Sequence, residues 1–424
     1  MKKCSQPKFF ITGIGITSAI GQGKTAFTTA LLQGQHRFGI MQRPGRQKGT
    51  QFLGAEIPSL SFPENLSKRV LRTASLSGQV ALLTLQEAWD DAKLDKIDPN
   101  RIGLIIGGSN FQQRELVQMY EFYRERVRFI TPTYGFSFMD SDLCGLCTEQ
   151  FGIKGMAFTV GGASASGQLA VLQAIQAIET GRIDICITMG ALTDLSYWEC
   201  QAFRSLGAMG TDRYMDEPES ACRPFDKNRD GFIYGESCGA VVIERGASVN
   251  FRQVKPYALI SGWAMGMDGN RNPNPSYEGE VQVIQKALEK AKIMAQEIDY
   301  INPHGTGSII GDETELESIR ACQLSHAYIN ATKSITGHGL SAAGIVEIIA
   351  TLMQMRESRL HPTRNLDDPI DPSFNWVRNQ SVSHMIKNAV SLSMGFGGIN
   401  TAICLQNCQT IVEKRRMIDD PGRN

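Results

Sequence analysis

Short apolar runs rich in β-branched residues recur along the chain with helical stretches between them. Phe9–Thr12 (FFIT), Ile102–Ile106 (IGLII), Asp184–Met189 (DICITM) and Ala240–Glu244 (AVVIE) read as strands buried on both faces. Such runs, spaced by helices, predict an α/β protein with parallel sheets covered on each side. Gly167–Glu179 (GQLAVLQAIQAIE) has apolar positions recurring at three and four, and Gly181 follows as a stop, so a helix is predicted there. The second half repeats the theme. Ala331–Thr336 (ATKSIT) leads through GHGLSAAG into a predicted helix over Ile345–Met355, as AFTVGGASASG leads into the helix of the first half. Ala389–Met394 and Asn400–Leu405 predict two closing strands that answer DICITM and AVVIE. The expected organisation is two similar halves, 1–250 and 251–410, with a polar tail over 411–424.

Length and charge narrow the class. The 424 residues carry 43 basic and 43 acidic side chains, so no global charge draws the chain to nucleic acid or an anionic membrane. No apolar run approaches the roughly 20 residues of a membrane span. The start, MKKCSQPKFFITGIG, lacks the apolar core of a secretion signal, and a cytoplasmic protein is expected. Of ten cysteines only Cys144 and Cys147 form a C-x-x-C, with no second pair to complete four zinc ligands. Neither a metal nor a cofactor is expected, and the thiols read as reduced and mostly buried. GIGITSAIGQGKT ends like a phosphate-binding loop at Gly23, Lys24 and Thr25, but the glycine that the spacing demands is Ser18. A strand, a glycine-rich turn and a helix are the expectation there.

Four segments carry chemistry together. VGGASASG (Val160–Gly167) puts Ser164 on a turn between strand and helix, where the helix N-terminus favours negative charge. PHGTGSIIGDETE (Pro303–Glu315) carries His304. TKSITGHGLSAAGIVE (Thr332–Glu347) carries Lys333, His338 and Glu347, and SMGFGGIN (Ser393–Asn400) is a glycine-rich turn around Phe396.

In this order, and with RPFDKNRDGFIYGE (Arg223–Glu236) between them, these motifs resemble the β-ketoacyl synthase family of the thiolase superfamily along nearly the whole chain. The resemblance implies a duplicated αβαβα layered fold, homodimers, and acyl groups delivered on the phosphopantetheine arm of an acyl carrier protein. It matches His304 and His338 to the family's catalytic histidines, Lys333 and Glu347 to supporting groups, and Phe396 to the aromatic gate. Thr306, Ser308 and Gly397 match substrate-binding positions, the two hydroxyls at the pantetheine amides.

One departure decides the expected reaction. The family's nucleophilic cysteine sits in a TACSSG-like turn, and here that position is Ser164. Acyl loading from a thioester needs a thiolate, which forms readily at a helix N-terminus, whereas a serine hydroxyl needs a dedicated base. Loading and condensation are therefore expected to fail. Decarboxylation of a malonyl thioester needs no covalent intermediate, only donors for the thioester oxygen as it becomes enolate-like, and two imidazoles supply them. A histidine pair beside a Cys-to-Ser elbow resembles the stand-alone decarboxylases of polyketide β-branching cassettes, which turn malonyl- into acetyl-carrier protein for a hydroxymethylglutaryl-synthase-like enzyme. The alternatives are a condensing enzyme with a serine variant of the site, and a non-catalytic partner subunit. An acidic carrier protein calls for a basic patch, with Lys68, Arg69, Arg72 and Arg204 as candidates. Phe136 and Phe138 are candidates for shortening an acyl pocket.

Overall fold

Both closing strands and all four apolar runs are strands in the computed structural model, which describes residues 8–409. FFIT opens the strand Phe9–Ser18, and the other runs lie in Ile102–Gly107, Ile185–Gly190, Ser237–Arg245, Asn388–Gly395 and Ile399–Asn407. They belong to one twelve-stranded sheet. Outward from its middle, one side runs Phe9–Ser18, Ser237–Arg245, Ile185–Gly190, Ile102–Gly107, Ala157–Val160. The other runs Ala258–Met267, Ile399–Asn407, Asn388–Gly395, Tyr300–Asn302, Tyr328–Ile329, with Asn375–Trp376 added at that edge. The chain order within each set of five is the same. The sets meet where Phe9–Ser18 pairs with Ala258–Met267 through three antiparallel residue pairs.

An all-parallel sheet was the expectation, and the middle of the sheet differs. Ser237–Arg245 pairs antiparallel on both sides, and so does Ile399–Asn407. Parallel pairing is confined to the outer strands of each set. An apolar run such as AVVIE reports burial on both faces, and strand direction is set by the connection. Asn388–Gly395 and Ile399–Asn407 are joined by a tight turn in which Gly397 and Gly398 take φ of 92° and 83°, so the pair must be antiparallel.

Period-two alternation divides the strand side chains among three cores. On Ile102–Gly107, Ile105 faces one core while Ile102, Leu104 and Ile106 face another. The helices Leu76–Ala92 and Ser141–Phe151 cover the outer face of the first set. Tyr277–Ala291 and Ile309–Ala321 cover that of the second. Between the sets lie Ser166–Glu179 and Ala343–Glu357, packed on each other and on strands of both. The layering is the αβαβα order of a thiolase-like fold. The two middle helices run slightly longer than predicted and end in left-handed residues, Gly181 (φ 73°) and Ser358 (φ 49°). Before the second middle helix a strand lies at Tyr328–Ile329, and within ATKSIT Lys333–Thr336 forms a short helix.

The phosphate-loop lookalike is structural. Lys24–Leu32 is the helix after the turn, and Glu87 Oε1 accepts the Lys24 N–H at 2.7 Å where an anion would otherwise sit. The nine described cysteines are free and eight are buried. Cys144 and Cys147 face the outer core, and burial pushes the Cys144 thiol up to about 12. Among the described residues no helix is long and apolar enough to cross a membrane, and no group of three or more His, Cys, Asp or Glu could hold a metal. The expected polar tail lies outside the described residues.

Candidate active site

Ser164 is brought to the site by a strained turn. Val160 ends an edge strand, Ala163 takes φ of 46°, and a single 3₁₀ turn, Ala163–Ala165, delivers the chain into the helix Ser166–Glu179. Left-handed backbone is unfavourable for alanine and is held here by its neighbours. Ser166 Oγ donates to Ala163 O at 2.7 Å and accepts the Gly162 N–H at 2.9 Å, and Ser393 Oγ donates to Ser164 O at 3.2 Å. Gly167 lets the two middle helices close: a Cβ there would meet Ile345 N at 2.9 Å. Gly395 does the same for the Phe396 turn, since its Cβ would lie 2.3 Å from Gly162 O.

His338 follows the short helix Lys333–Thr336. Its N–H donates to Ile233 O at 2.7 Å and its carbonyl accepts from Gly235 at 3.1 Å, so the backbone is pinned beside Tyr234. The Phe232 ring stands edge-on to the imidazole at 5.1 Å. His338 Nε2 lies 2.9 Å from Ser164 Oγ. Its Nδ1 has no partner, so a hydrogen there would be an orphaned buried donor. We therefore assign the hydrogen to Nε2, facing Ser164 and the cavity.

His304 sits on the loop between Tyr300–Asn302 and the helix Ile309–Ala321. Two acids three apart on that helix reach back to hold the loop. Glu315 accepts the N–H groups of His304 and Gly305 at 2.5 and 2.8 Å, and Asp312 those of Thr306 and Gly307 at 3.1 Å each. Burial raises both, Asp312 to about 6 and Glu315 to about 8, against these hydrogen bonds. Behind the ring Lys333, 2 % exposed, donates to His304 O, to Glu347 and, at 3.4 Å, to His304 Nδ1. Nδ1 is thus the acceptor, and the ring hydrogen belongs on Nε2. Burial pushes Glu347 up to about 7 although Lys333 opposes it.

The two imidazoles stand 5.5 Å apart and nearly perpendicular. Burial, and then the Lys333 charge, hold both well below the ordinary histidine range, so both are neutral donors near pH 7. They and Ser164 open on a cavity of about 680 Å³ that Phe396, Phe203, Phe232, Thr306 and Ser308 also line. Phe396 is 42 % exposed at the rim, 6.3 Å from Phe203.

The structure thus gathers Ser164, His304, His338, Phe396, Thr306 and Ser308 around one cavity and sets Lys333 and Glu347 behind it. Gly397 does not line the cavity; Gly395 and Gly398 on either side do. Phe136 and Phe138 are exposed and stand away from the lining. Lys68, Arg69 and Arg72 share the helix Lys68–Thr73, with Arg69 paired to Glu149, whereas Arg204 is on Tyr197–Ser205 and pairs with Asp212 at 2.7 Å. None of the four lines the cavity. Asp312 and Glu315 went unassigned in the sequence, although their spacing of three just after a glycine-rich loop is a legible signal. Phe203 had no local signal, and Phe232 lies inside the Arg223–Glu236 motif without having been read as a site residue.

Residues 8–248 match the family described as "Beta-ketoacyl synthase, N-terminal domain", and 257–367 match "Beta-ketoacyl synthase, C-terminal domain". The chain belongs to the β-ketoacyl synthase family. It is 66% identical over 409 residues to the polyketide biosynthesis malonyl-ACP decarboxylase PksF of Bacillus subtilis, covering 96% of this chain and 99% of that one. It is 32% identical over 410 residues to 3-oxoacyl-[acyl-carrier-protein] synthase 1 of Buchnera aphidicola, covering 93% and 98%. The crystal structure of a β-ketoacyl synthase from Burkholderia phymatum superimposes with a TM-score of 0.86 at 26% identity, covering 95% of this chain and all of the other. A hydroxyl, Ser164, faces His338 at the position where the resemblance implies a thiol.

Proposed function

We propose that this β-ketoacyl synthase homologue decarboxylates malonyl-acyl carrier protein to acetyl-acyl carrier protein and forms no carbon–carbon bond. The observation that carries the reading is an intact pair of neutral histidines beside the Ser164 hydroxyl, in a chain 66% identical to a malonyl-ACP decarboxylase. The malonyl thioester oxygen sits between the Nε2–H groups of His304 and His338. The bond to the carboxylate breaks, its electron pair enters the thioester as an enolate, and CO₂ leaves. Once CO₂ has left, the enolate carbon takes a proton from solvent, giving the acetyl thioester. Each N–H donor is worth about 3 kcal/mol of barrier. Lys333 and Glu347 keep His304 in its donor tautomer, and Phe396 shields the site from water. Ser164 has no covalent role; its hydroxyl accepts the His338 Nε2–H until the thioester oxygen takes that place.

Thr306 and Ser308 are the proposed contacts of the phosphopantetheine arm, which belongs to the substrate, so the reaction calls for no cofactor of the protein's own. The acetyl units supply polyketide β-branching. The partner is an acyl carrier protein, and a second copy of the chain is proposed at the half-buried edge strand Ala157–Val160. Free, buried thiols fit the cytoplasm. Incubation with malonyl-acyl carrier protein, read by intact-protein mass, tests the reaction. Loss of the mass of CO₂ is expected; a persisting malonyl thioester would overturn it.

A further inference from the structure

One wall of the cavity carries a buried acid with no part in the chemistry above. Glu280 lies near the start of the helix Tyr277–Ala291, is 1 % exposed, and lines the cavity with Asp268, Asn400, Thr306 and Ser308. Its Oε2 is buried without any hydrogen-bond partner. The side-chain hydrogen-bonding group beside the carboxyl is the Ser318 hydroxyl, which is also directed at Thr314 O at 2.9 Å. Buried polar atoms are rarely left unpaired in native proteins, and the cavity that Glu280 lines has room for the missing partner.

The surroundings say what kind of ligand group fits. Asp268, held by Asn400 at 2.6 Å, and Glu315 are the acids nearest Glu280. A wall of Glu280, Asp268, Asn400, Thr306 and Ser308 offers no cation to a malonyl carboxylate or a phosphodiester, so the two charged ends of the substrate lie elsewhere. The neutral stretch between them, with two amides, belongs against this wall. Burial, and then the neighbouring Glu315, hold Glu280 well above the usual carboxylate range, which favours its protonated form, with one donor and one acceptor. Either half of an amide satisfies it.

We propose that the Glu280 carboxyl is a substrate-binding group that hydrogen-bonds an amide of the pantetheine arm. The proposal rests on the malonyl-carrier reading of this site.

Two small substrates separate its failure from the failure of that reading. Malonyl-pantetheine carries both amides, and S-methyl malonyl thioester carries none. In E280L the KM for malonyl-pantetheine should rise about tenfold while that for the methyl thioester stays as in the unmodified enzyme. E280Q, which keeps a donor and an acceptor, should restore the pantetheine KM to within about threefold. A KM that does not move, or that moves equally for both substrates, overturns the proposal. So does an E280Q as impaired as E280L. If E280L melts early, the E280Q comparison and the ratio of the two KM values still decide. An unmodified enzyme that releases CO₂ from neither substrate nor from malonyl-acyl carrier protein would instead refute the decarboxylase reading.

Discussion

Lys333 Nζ lies 3.4 Å from Nδ1 of His304, and the same ammonium is shared with Glu347 and with the carbonyl of His304. A lysine so placed fixes which ring nitrogen keeps its hydrogen. Replacing Lys333 by Met should lower kcat between about 10- and 100-fold, as for other groups that orient a functional imidazole. It also strands Glu347, 1 % exposed, at a cost of about 3–5 kcal/mol. The double variant K333M/E347Q should recover stability, read by thermal melting, without recovering rate. Recovery of both would make the lysine purely structural.

His304 and His338 are each assigned one donor to the developing enolate oxygen. H304A and H338A should each slow CO₂ release from malonyl-acyl carrier protein about 100-fold. A loss under about fivefold in either would place the donors elsewhere, for instance at the backbone N–H groups of Ser164 and Phe396.

Ser164 separates a non-covalent path from a covalent one. S164A removes a single hydrogen bond to His338, so decarboxylation should fall by no more than about tenfold. S164C puts a thiol beside His338 at a helix N-terminus, and incubation with acetyl-carrier protein should leave an acetyl adduct on the protein, seen by mass. Abolished turnover in S164A, or an acyl adduct on the unmodified serine, would contradict the mechanism.

The buried acid behind His304 sets a pH dependence of stability. The Glu315 carboxyl is raised to about 8 from an unfolded value near 4.5, so between these values the folded protein keeps a proton that the unfolded chain has lost. Its contribution is present at low pH and is lost as pH rises, at about 1.4 kcal/mol per unit. The histidines act oppositely, being depressed, so their contribution grows up to about pH 6.5 and then stays level. Above pH 6.5 the Glu315 slope is no longer opposed by them. Urea melts of E315Q should fall less steeply between pH 6.5 and 8 than those of the unmodified protein, and an unchanged slope would remove Glu315 as the source.

Ser164, His304 and His338 were legible in the sequence because each sits in a glycine-rich stretch whose wording is tied to a turn. The chain order of those turns carries the resemblance to the family. Strand positions were legible because burial writes continuous apolar runs. Their directions were not, since AVVIE reads the same whichever way it is paired. Glu280 was hidden for a different reason. In sequence it is one of several acids on an amphipathic helix, and only the packing of Tyr277–Ala291 beside Ile309–Ala321 turns it inward. Phe203 and Phe232 likewise become site residues through the fold. Lys68, Arg69, Arg72 and Arg204, the candidates for a basic patch, fall on two helices, and Arg69 and Arg204 pair with acids of the chain.

The two sets of strands have the same order, yet they are joined by only three residue pairs at their seam, and their shared apolar layer lies between them. Ala170, Ile175, Ile345 and Ile349 are buried in that one layer and come from both halves of the chain. Neither half can shelter its own middle helix. The duplication therefore does not behave as beads on a string. The repeats should melt as one cooperative body, and a chain arrested after the first repeat leaves an apolar face open, a substrate for chaperones and proteases instead of half an enzyme.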